Sequence, residues 1–213
     1  MGIVHGLFQR ARSAPPHGDG TAERVLDAAL RQAEDFGVRR FTIDDVARRC
    51  GLSRVTIYRH FPKKDALLDA ILLREMRRFL TRADAVIAAQ STPEDRLVEG
   101  LLFCLDFLRG HRLLNRLLRT EPEFILPHLT TRAAGPIAEA RAWIGGHVRA
   151  EIAAGRLDVP DADVDYFAEL VIRGVISFVL TPETVLPLDD PDARRRLADL
   201  YLAPFARHFR PET

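Results

Sequence analysis

The stretch from Phe41 to Leu68 reads FTIDDVARRCGLSRVTIYRHFPKKDALL, and it decides the fold of the N-terminal part of the chain. It predicts two short helices joined by a tight turn, followed at once by a third helix. Thr42 and Ser53 stand where an N-cap is needed, because a hydroxyl oxygen accepts a free backbone N–H of the first turn. Gly51 stands where the chain must turn sharply, and Pro62 ends the second helix.

The second short helix has two different faces. Ile57 and Phe61 are four residues apart and face inward together, with Leu52 beside them. Cations, hydroxyls and one imidazole occupy the other faces of the helix. A short exposed helix of this kind on an apolar anchor is typical of a recognition helix, which lies in the major groove of DNA.

The polar side chains of this helix suggest individual roles. The Arg54 guanidinium can bind guanine, and Val55 can contact the methyl group of thymine. Tyr58 and His60 suit phosphate oxygens, which position a protein on DNA without specifying sequence. Lys64 begins the next helix, where a cation and free N–H groups together attract a phosphate. The predicted DNA-binding residues are Thr42, Ser53, Arg54, Val55, Thr56, Tyr58, Arg59, His60 and Lys64.

The charge distribution supports this interpretation. The chain has a net charge of only +1, but residues 1–78 hold 15 Lys and Arg against 10 Asp and Glu. Between Arg39 and Lys64 there are eight cations and two acids. A basic segment at one end of a nearly neutral protein is the electrostatic pattern expected for DNA binding.

The segment resembles the DNA-binding domain of the TetR family of transcriptional regulators. The matching features are the run TIDDVARRCGLS, the run VTIYRHFPKKDALL and an amphipathic helix from Arg24 to Phe36 just before them. The resemblance is specific over about Thr21 to Arg74. It implies a homodimer that binds double-stranded DNA at a palindromic operator, as a repressor or activator, and that a small-molecule effector releases.

Composition sets the class of the protein. The 213 residues are rich in Leu and Ala and lack β-branched runs of strand type, so we expect an all-α fold. No run of eighteen apolar residues and no signal peptide is evident, which predicts a cytoplasmic protein without a membrane span. Two cysteines, Cys50 and Cys104, do not form a disulfide framework.

The pattern of helices and prolines predicts the organisation of the chain. Residues 1–20 are expected to form a flexible tail. Residues 21–67 are expected to form a three-helix domain with the helix-turn-helix. Residues 68–213 are expected to form a bundle of about six helices for ligand binding and dimerisation. A helix from about residue 64 to residue 90 is predicted to link the two domains and to shift when a ligand enters.

Two uses compete for the apolar surfaces of the C-terminal region. One is a ligand cavity with a few polar anchors. Its candidate residues are Phe103, Phe107, His111, Leu117, Phe124, Trp143, His147, Phe167 and Arg173. The other is a two-fold interface, because a single domain core cannot easily cover the nearly all-apolar helix from about residue 161 to residue 180. Its candidate residues are Phe167, Leu170, Val171, Val175, Phe178, Leu197, Leu200, Tyr201 and Phe205.

Other functions were weighed against a DNA-binding regulator. The sequence has no phosphate-binding glycine loop, nucleophile elbow, HExxH motif or cysteine pair at metal spacing, so it predicts no enzyme, no cofactor and no metal site. One alternative is a helical protein that binds small molecules or partners without specific DNA binding. A second alternative is a regulator that senses redox state through Cys50 or Cys104, which requires a reactive thiolate.

Overall fold

The computed structural model describes residues 6–13, 20–186 and 190–211. Throughout these ranges the regular structure is helical, with no strand, so the predicted all-α class is confirmed. The helices are α1 (Leu7–Ser13), α2 (Gly20–Phe36), α3 (Ile43–Cys50), α4 (Arg54–His60), α5 (Lys64–Ala88), α6 (Pro93–Gly110), α7 (Arg112–Thr120), α8 (Pro122–Leu129), α9 (Ala134–Ala153), α10 (Asp161–Leu180), α11 (Pro191–Tyr201) and α12 (Ala203–His208). Within the described ranges, none of these helices has the length and apolar character needed to cross a membrane.

The helices group into two compact units. Unit 1 contains residues 1–78 and 111–136, and unit 2 contains residues 79–110 and 137–213. Helix α5 contributes residues to both units, in keeping with the linking helix that the sequence predicts over residues 64–90. The segment 111–136, which the sequence assigns to the C-terminal domain, packs with the N-terminal helices.

Unit 1 is built around the inner faces of its short helices. Val25 and Leu26 of α2, Val46 of α3 and Ile57 of α4 are fully buried in one core. The helices α7 and α8 complete this core with four apolar side chains, two fully buried and two partly buried. They are Leu113, Leu117, Phe124 and Ile125. The N-terminal domain therefore depends on residues far along the chain.

The N-terminal segment differs from the predicted flexible tail. Residues 7–13 form α1, in which Leu7 and Ala11 are buried. Arg10 makes two hydrogen bonds to Asp69 at 2.8 and 3.2 Å, and Arg77 donates to the carbonyl of Ala11. Apolar contacts and an ion pair hold this short helix in place. The polar composition of residues 1–20 did not indicate that a helix forms there. The remainder of the predicted tail, residues 1–5 and 14–19, lies outside the described residues.

Unit 2 is organised around α6, which contacts α10, α11 and α12. Its core contains Val98 of α6, Val148 of α9 and Val164 of α10. The sequence predicts one helix over residues 191–209, kinked at Pro204. The structure instead ends α11 at Tyr201 and starts α12 at Ala203, with the proline in the first turn, where its missing N–H costs nothing.

Candidate nucleic-acid interface

The helix-turn-helix forms as the sequence predicts. The Thr42 hydroxyl accepts the N–H of Asp45 at 3.2 Å, and the Ser53 hydroxyl accepts the N–H of Thr56 at 3.1 Å. Gly51 follows α3 with φ of 67°, a left-handed conformation that favours glycine. These local bonds define the start of both helices and the turn between them.

The two faces of α4 are strongly different. Ile57 is fully buried and Phe61, which follows the helix, is 3% exposed in the core of unit 1. On the opposite side Val55 is 79% exposed and Tyr58 is 41% exposed. The side chains of Arg54 and Arg59 are exposed as well. The buried face anchors the helix in the core, and the opposite face exposes two arginines, a tyrosine and a valine to solvent.

The structure adds Asp44 to this surface. Its carboxylate forms an ion pair with Arg54, with Oδ1 2.8 Å from Arg54 Nε, and both side chains are more than half exposed. Asp44 also places a negative charge at the positive end of α3. The pair depends on how α3 crosses α4, which a linear pattern does not contain.

Lys64 lies in a more constrained position than the prediction of a free phosphate ligand suggests. Its ammonium donates to the carbonyl of Val38 at 2.9 Å and lies 3.5 Å from that of Arg39. It also sits 5.8 Å from the centre of the Phe41 ring. An ammonium has three donors, so a contact with phosphate remains compatible with these bonds.

Two other predicted residues of α4 are half-buried. The Thr56 hydroxyl lies 2.9 Å from that of Ser53, so its first partner is the cap of its own helix. The His60 ring lies 6.3 Å from the Phe61 ring, at the edge of the buried face. Both side chains are therefore less accessible than Arg54 and Val55 on the same helix.

Four of the predicted ligand-binding residues meet in unit 2. Phe103 and Phe107 of α6 lie 5.9 and 5.2 Å from the Phe79 ring, and Trp143 of α9 lies 5.7 Å from it. The His147 ring stands edge-on to Trp143 at 5.1 Å. We call these five residues the aromatic cluster. Phe79, at its centre, was not among the predicted residues.

A carboxylate and a guanidinium flank the aromatic cluster. Asp84 Oδ1 accepts the indole N–H of Trp143 at 3.0 Å and lies 3.0 Å from His147 Nε2. The Arg82 guanidinium lies 5.5 Å from the centre of the Phe103 ring. Both residues are on α5 and escaped sequence analysis, since charged residues on a long helix ordinarily indicate only a solvated face.

The other predicted ligand-binding residues lie elsewhere. Leu117 and Phe124 belong to the core of unit 1. Phe167 belongs to the core of unit 2, where it stacks on Phe205 at 3.8 Å. Arg173 is exposed and pairs with Glu169 one turn earlier on α10. These four residues therefore do not join the aromatic cluster.

His111 has a structural role in unit 1. Its Nδ1 accepts the N–H of Leu114 and so caps α7, while its Nε2 lies 3.5 Å from a carboxylate oxygen of Glu75. Burial raises the pKa of Glu75, but the hydrogen bond and charge of His111, together with the charges of Arg78 and Arg74, outweigh it, so that the pKa is lowered overall.

The predicted interface residues fall into two groups. Phe167 and Phe205 are stacked on each other within unit 2, whereas Leu170 of α10 and Leu200 and Tyr201 of α11 are at least 66% exposed. The rest of the predicted set is half-buried. It consists of Val171, Val175, Phe178 and Leu197. Tyr166, one turn before Leu170, is a further exposed residue at 69% and extends the apolar surface of α10.

The cysteines are poorly suited to redox sensing. Burial raises the pKa of the Cys104 thiol to about 12, which keeps it protonated and unreactive. The Cys50 thiol lies 3.7 Å from the carbonyl of Ala47 at the end of α3. Both thiols are free.

Comparison with known proteins identifies relatives of the chain. A model of the family described as "Bacterial regulatory proteins, tetR family" matches residues 25–71, from α2 into α5. An HTH-type transcriptional regulator of Mycobacterium tuberculosis (strain ATCC 25618 / H37Rv) is 29% identical over 182 residues, which cover 84% of this chain and 82% of that protein. The HTH-type transcriptional repressor KstR of Mycolicibacterium smegmatis is 34% identical over 111 residues, 52% of this chain and 48% of the repressor.

The extent of these matches varies. The chain spans about half the length of KstR and of several other curated relatives that it matches. All of these relatives are described as transcriptional regulators, which supports the prediction that the chain is not an enzyme.

Solved structures show the same fold. The TetR family repressor AlkX from Dietzia sp. strain DQ12-45-1b has a TM-score of 0.61 at 23% identity and covers 88% of this chain and 98% of its own. A TetR-family regulator from Mesorhizobium loti MAFF303099 has a TM-score of 0.66 at 15% identity, covering 90% and 97%. At such identities the likeness establishes the fold alone. Together with the family match, it leads to one conclusion: the helix-turn-helix segment, residues 25–71, is a DNA-binding segment of the kind found in bacterial regulatory proteins of the tetR family.

Proposed function

We propose that the protein is a sequence-specific DNA-binding transcriptional regulator that acts in the cytoplasm. In this proposal a homodimer represses from a palindromic operator, and a small, largely apolar ligand releases it. The observation that carries the proposal is the capped α3–turn–α4 unit, whose inner face is buried and whose outer face exposes Arg54, Val55 and Tyr58. This surface lies in the basic part of the chain.

The proposed reading of DNA follows from the accessibility of these side chains. Arg54 binds a guanine edge and Val55 contacts a thymine methyl, while Tyr58 and Lys64 contact phosphates. The Arg54–Asp44 pair does not prevent this, because exposed ion pairs contribute only about 0–1 kcal/mol and exchange partners readily. Arg54 therefore specifies sequence, and the phosphate ligands position the helix.

The separate roles of Arg54 and Tyr58 can be tested by measuring the affinity of variants for an operator that is recovered by selection from genomic DNA. Arg54→Ala should weaken operator binding by about 1–3 kcal/mol and relax the preference at one base pair in each half-site. Tyr58→Phe should weaken binding to all sequences alike. If Arg54→Ala lost the same affinity on scrambled DNA, the assignment of base reading to Arg54 would be wrong.

The dimer is proposed on the exposed apolar residues of unit 2. Tyr166 and Leu170 of α10 and Leu200 and Tyr201 of α11 are each at least 66% exposed, and large apolar side chains that a single chain leaves exposed are candidates for burial against a second copy. A two-fold dimer also brings two short recognition helices to paired half-sites, about one helical turn or a multiple of it apart.

Sedimentation of matched variants tests the dimer. Leu170→Arg places a charge in the proposed interface and should convert the protein to monomers. Val185→Arg is the control, because Val185 is 99% exposed and lies outside the helices. If both variants sedimented as dimers in equal proportion, the exposed apolar surface of α10 and α11 would not be the dimer interface.

The effector is proposed to bind at the aromatic cluster. Apolar rings with a few convergent polar groups are typical of small-molecule sites, and here Asp84 and His147 supply the polar groups. The same helix, α5, carries Asp84 at one position and Lys64, beside the DNA-reading helix, at its first residue. A shift of α5 on ligand binding would therefore act on the reader directly.

Trp143 provides the measurement, because it is the only tryptophan in the chain and belongs to the aromatic cluster. Apolar compounds that bind there should change its fluorescence and release operator DNA in the same concentration range. Asp84→Asn should weaken both responses together. Compounds that release DNA without any change in Trp143 emission would place the effector site elsewhere.

A further inference from the structure

The joint between α7 and α8 carries a buried carboxylate with no role in the proposed DNA contacts or ligand site. Glu121 ends α7 and precedes α8, and it is only 4% exposed. Its backbone is fixed on both sides, since its N–H donates to the carbonyl of Leu117 and its carbonyl accepts the N–H of Phe124. The backbone from which the Glu121 side chain extends is therefore held in place by hydrogen bonds on both sides.

The carboxylate is directed at the turn between α2 and α3. Oε2 of Glu121 accepts the N–H of Val38 and the N–H of Arg39, both at 3.2 Å, and Oε1 lies 3.3 Å from the latter. The N–H of Val38 is buried and needs an acceptor, and it finds one, together with the partly buried N–H of Arg39, in a residue more than eighty positions away in sequence. The Glu121 carboxylate thus accepts hydrogen bonds from this turn that water would otherwise accept.

Gly37 makes room for this contact. A Cβ atom on Gly37 would lie 1.9 Å from Oε1 of Glu121, a distance that no side chain can tolerate. The residue also has φ of 79°, which favours glycine independently. The turn and the carboxylate are therefore complementary in shape as well as in hydrogen bonding.

The same turn is held from its other side by Lys64. The ammonium donates to the carbonyl of Val38 at 2.9 Å, while the N–H of that residue donates to Glu121. Three residues after this clamped peptide, Phe41 is buried in the core, and Thr42 caps α3 directly after it. The turn that Glu121 and Lys64 contact therefore lies directly before α3, and the turn at Gly51 joins α3 to α4.

The geometry points to Glu121 as a positioning residue of the DNA reader, acting through the peptides of Val38 and Arg39. The functional reader accordingly extends beyond residues 25–71, which the family model matches, to the joint of α7 and α8. The inference rests on the proposed function, because it concerns the placement of the helices that would contact DNA. A displacement of such a scaffold by a fraction of an ångström is enough to weaken a binding site.

Matched charge-neutralising substitutions at two neighbouring glutamates test the inference. Glu121→Gln replaces one acceptor oxygen by an NH2 group that opposes the N–H groups of the turn. Glu123→Gln is the control, because Glu123 pairs with Arg39 at 2.7 Å through exposed side chains and accepts no backbone N–H in the described contacts. Glu121→Ala removes both acceptor oxygens and leaves only the contact from Lys64, so it should exceed the effect of Glu121→Gln.

Two readouts are measured on the full-length protein, well below the melting temperature of each variant. In the absence of DNA, Glu121→Gln should speed amide exchange at Val38 and Arg39 by roughly tenfold or more and shift the amide resonances of α3 and α4. On the selected operator it should lower affinity roughly tenfold, whereas Glu123→Gln should change neither readout by more than about twofold.

The outcomes separate this inference from the proposed function. If exchange accelerated but Glu121→Gln bound the operator as tightly as Glu123→Gln, Glu121 would serve stability only and the inference would be overturned. If the wild-type protein itself bound no operator, the proposed function would fail. In that case the α3 and α4 resonances alone would decide whether Glu121 positions these helices, and unchanged resonances would contradict it.

Discussion

The two units of the protein hold their helices in place by different means. In unit 1 the helices α3 and α4 are only eight and seven residues long, and side chains bonded to backbone groups determine their ends. In unit 2 longer helices are joined by ion-pair networks, such as Arg195 with Asp95, Glu99 and Asp199. Short helices have few internal hydrogen bonds, so their placement depends on caps and turns far more than that of long helices.

The largest expected effect concerns the turns of unit 1. Gly37→Ala should lower the free energy of unfolding by about 3 kcal/mol, combining roughly 1–2 kcal/mol for a left-handed residue with the displacement of Glu121. Gly51→Ala is the matched control, because Gly51 has a similar φ of 67° and open space around its Cα. Urea unfolding followed by circular dichroism measures both variants. Equal losses would show that the Glu121 contact contributes nothing.

An intermediate effect is expected from the ion-pair networks of unit 2. Glu151 is buried and accepts hydrogen bonds from Arg156 and Arg96. Glu151→Ala should destabilise the protein by about 2 kcal/mol, less than for a fully buried pair, because both arginines reach solvent. Glu183→Ala, at an exposed position, should have almost no effect on thermal unfolding. A loss at Glu183 as large as that at Glu151 would contradict the comparison.

Glu151 also predicts a dependence on pH. The hydrogen bond from Arg156, opposed by burial and aided by Arg96, holds the pKa of Glu151 below its usual value of 4.5. A carboxyl group whose pKa is lowered on folding stabilises the protein above the unfolded pKa, and this stabilisation is lost as pH falls through the folded pKa. The wild type should therefore lose more stability on acidification than Glu151→Gln, and parallel curves would refute the assignment.

The smallest effect is expected from a single cap. Ser53→Ala should cost about 1 kcal/mol of unfolding free energy, because the N–H of Thr56 loses its acceptor at the start of α4. Ser53→Asp keeps an acceptor and should remain close to the wild type in denaturant titrations. A similar loss in both variants would show that the hydroxyl has another role than capping.

The features that could be predicted from the sequence are those that depend on neighbouring residues in the chain. The caps at Thr42 and Ser53 and the turn at Gly51 were predictable, since each depends on chemistry within three or four residues of the chain. The burial of Ile57 and Phe61 followed from their spacing on α4. The helix-turn-helix could therefore be described almost completely from its sequence.

Features that depend on the meeting of distant helices escaped prediction. The pair of Arg54 with Asp44 requires the crossing of α3 and α4, and Glu121 reaches a turn more than eighty residues earlier. Helical periodicity indicates that an apolar side chain faces inward, but it does not say into which core the side chain points. Leu117 consequently lies in unit 1, while Trp143 lies in unit 2.

The most direct test of the account is selection of genomic DNA fragments by the purified protein, with the Arg54→Ala, Tyr58→Ala double variant as control. The account predicts that the wild type enriches a palindromic site at moderate salt, that higher salt weakens binding steeply, and that the double variant enriches nothing. Absence of any enriched sequence at low salt, for a folded wild-type protein, would contradict the central claim that α4 reads DNA. It would leave a helical protein that binds small molecules or protein partners.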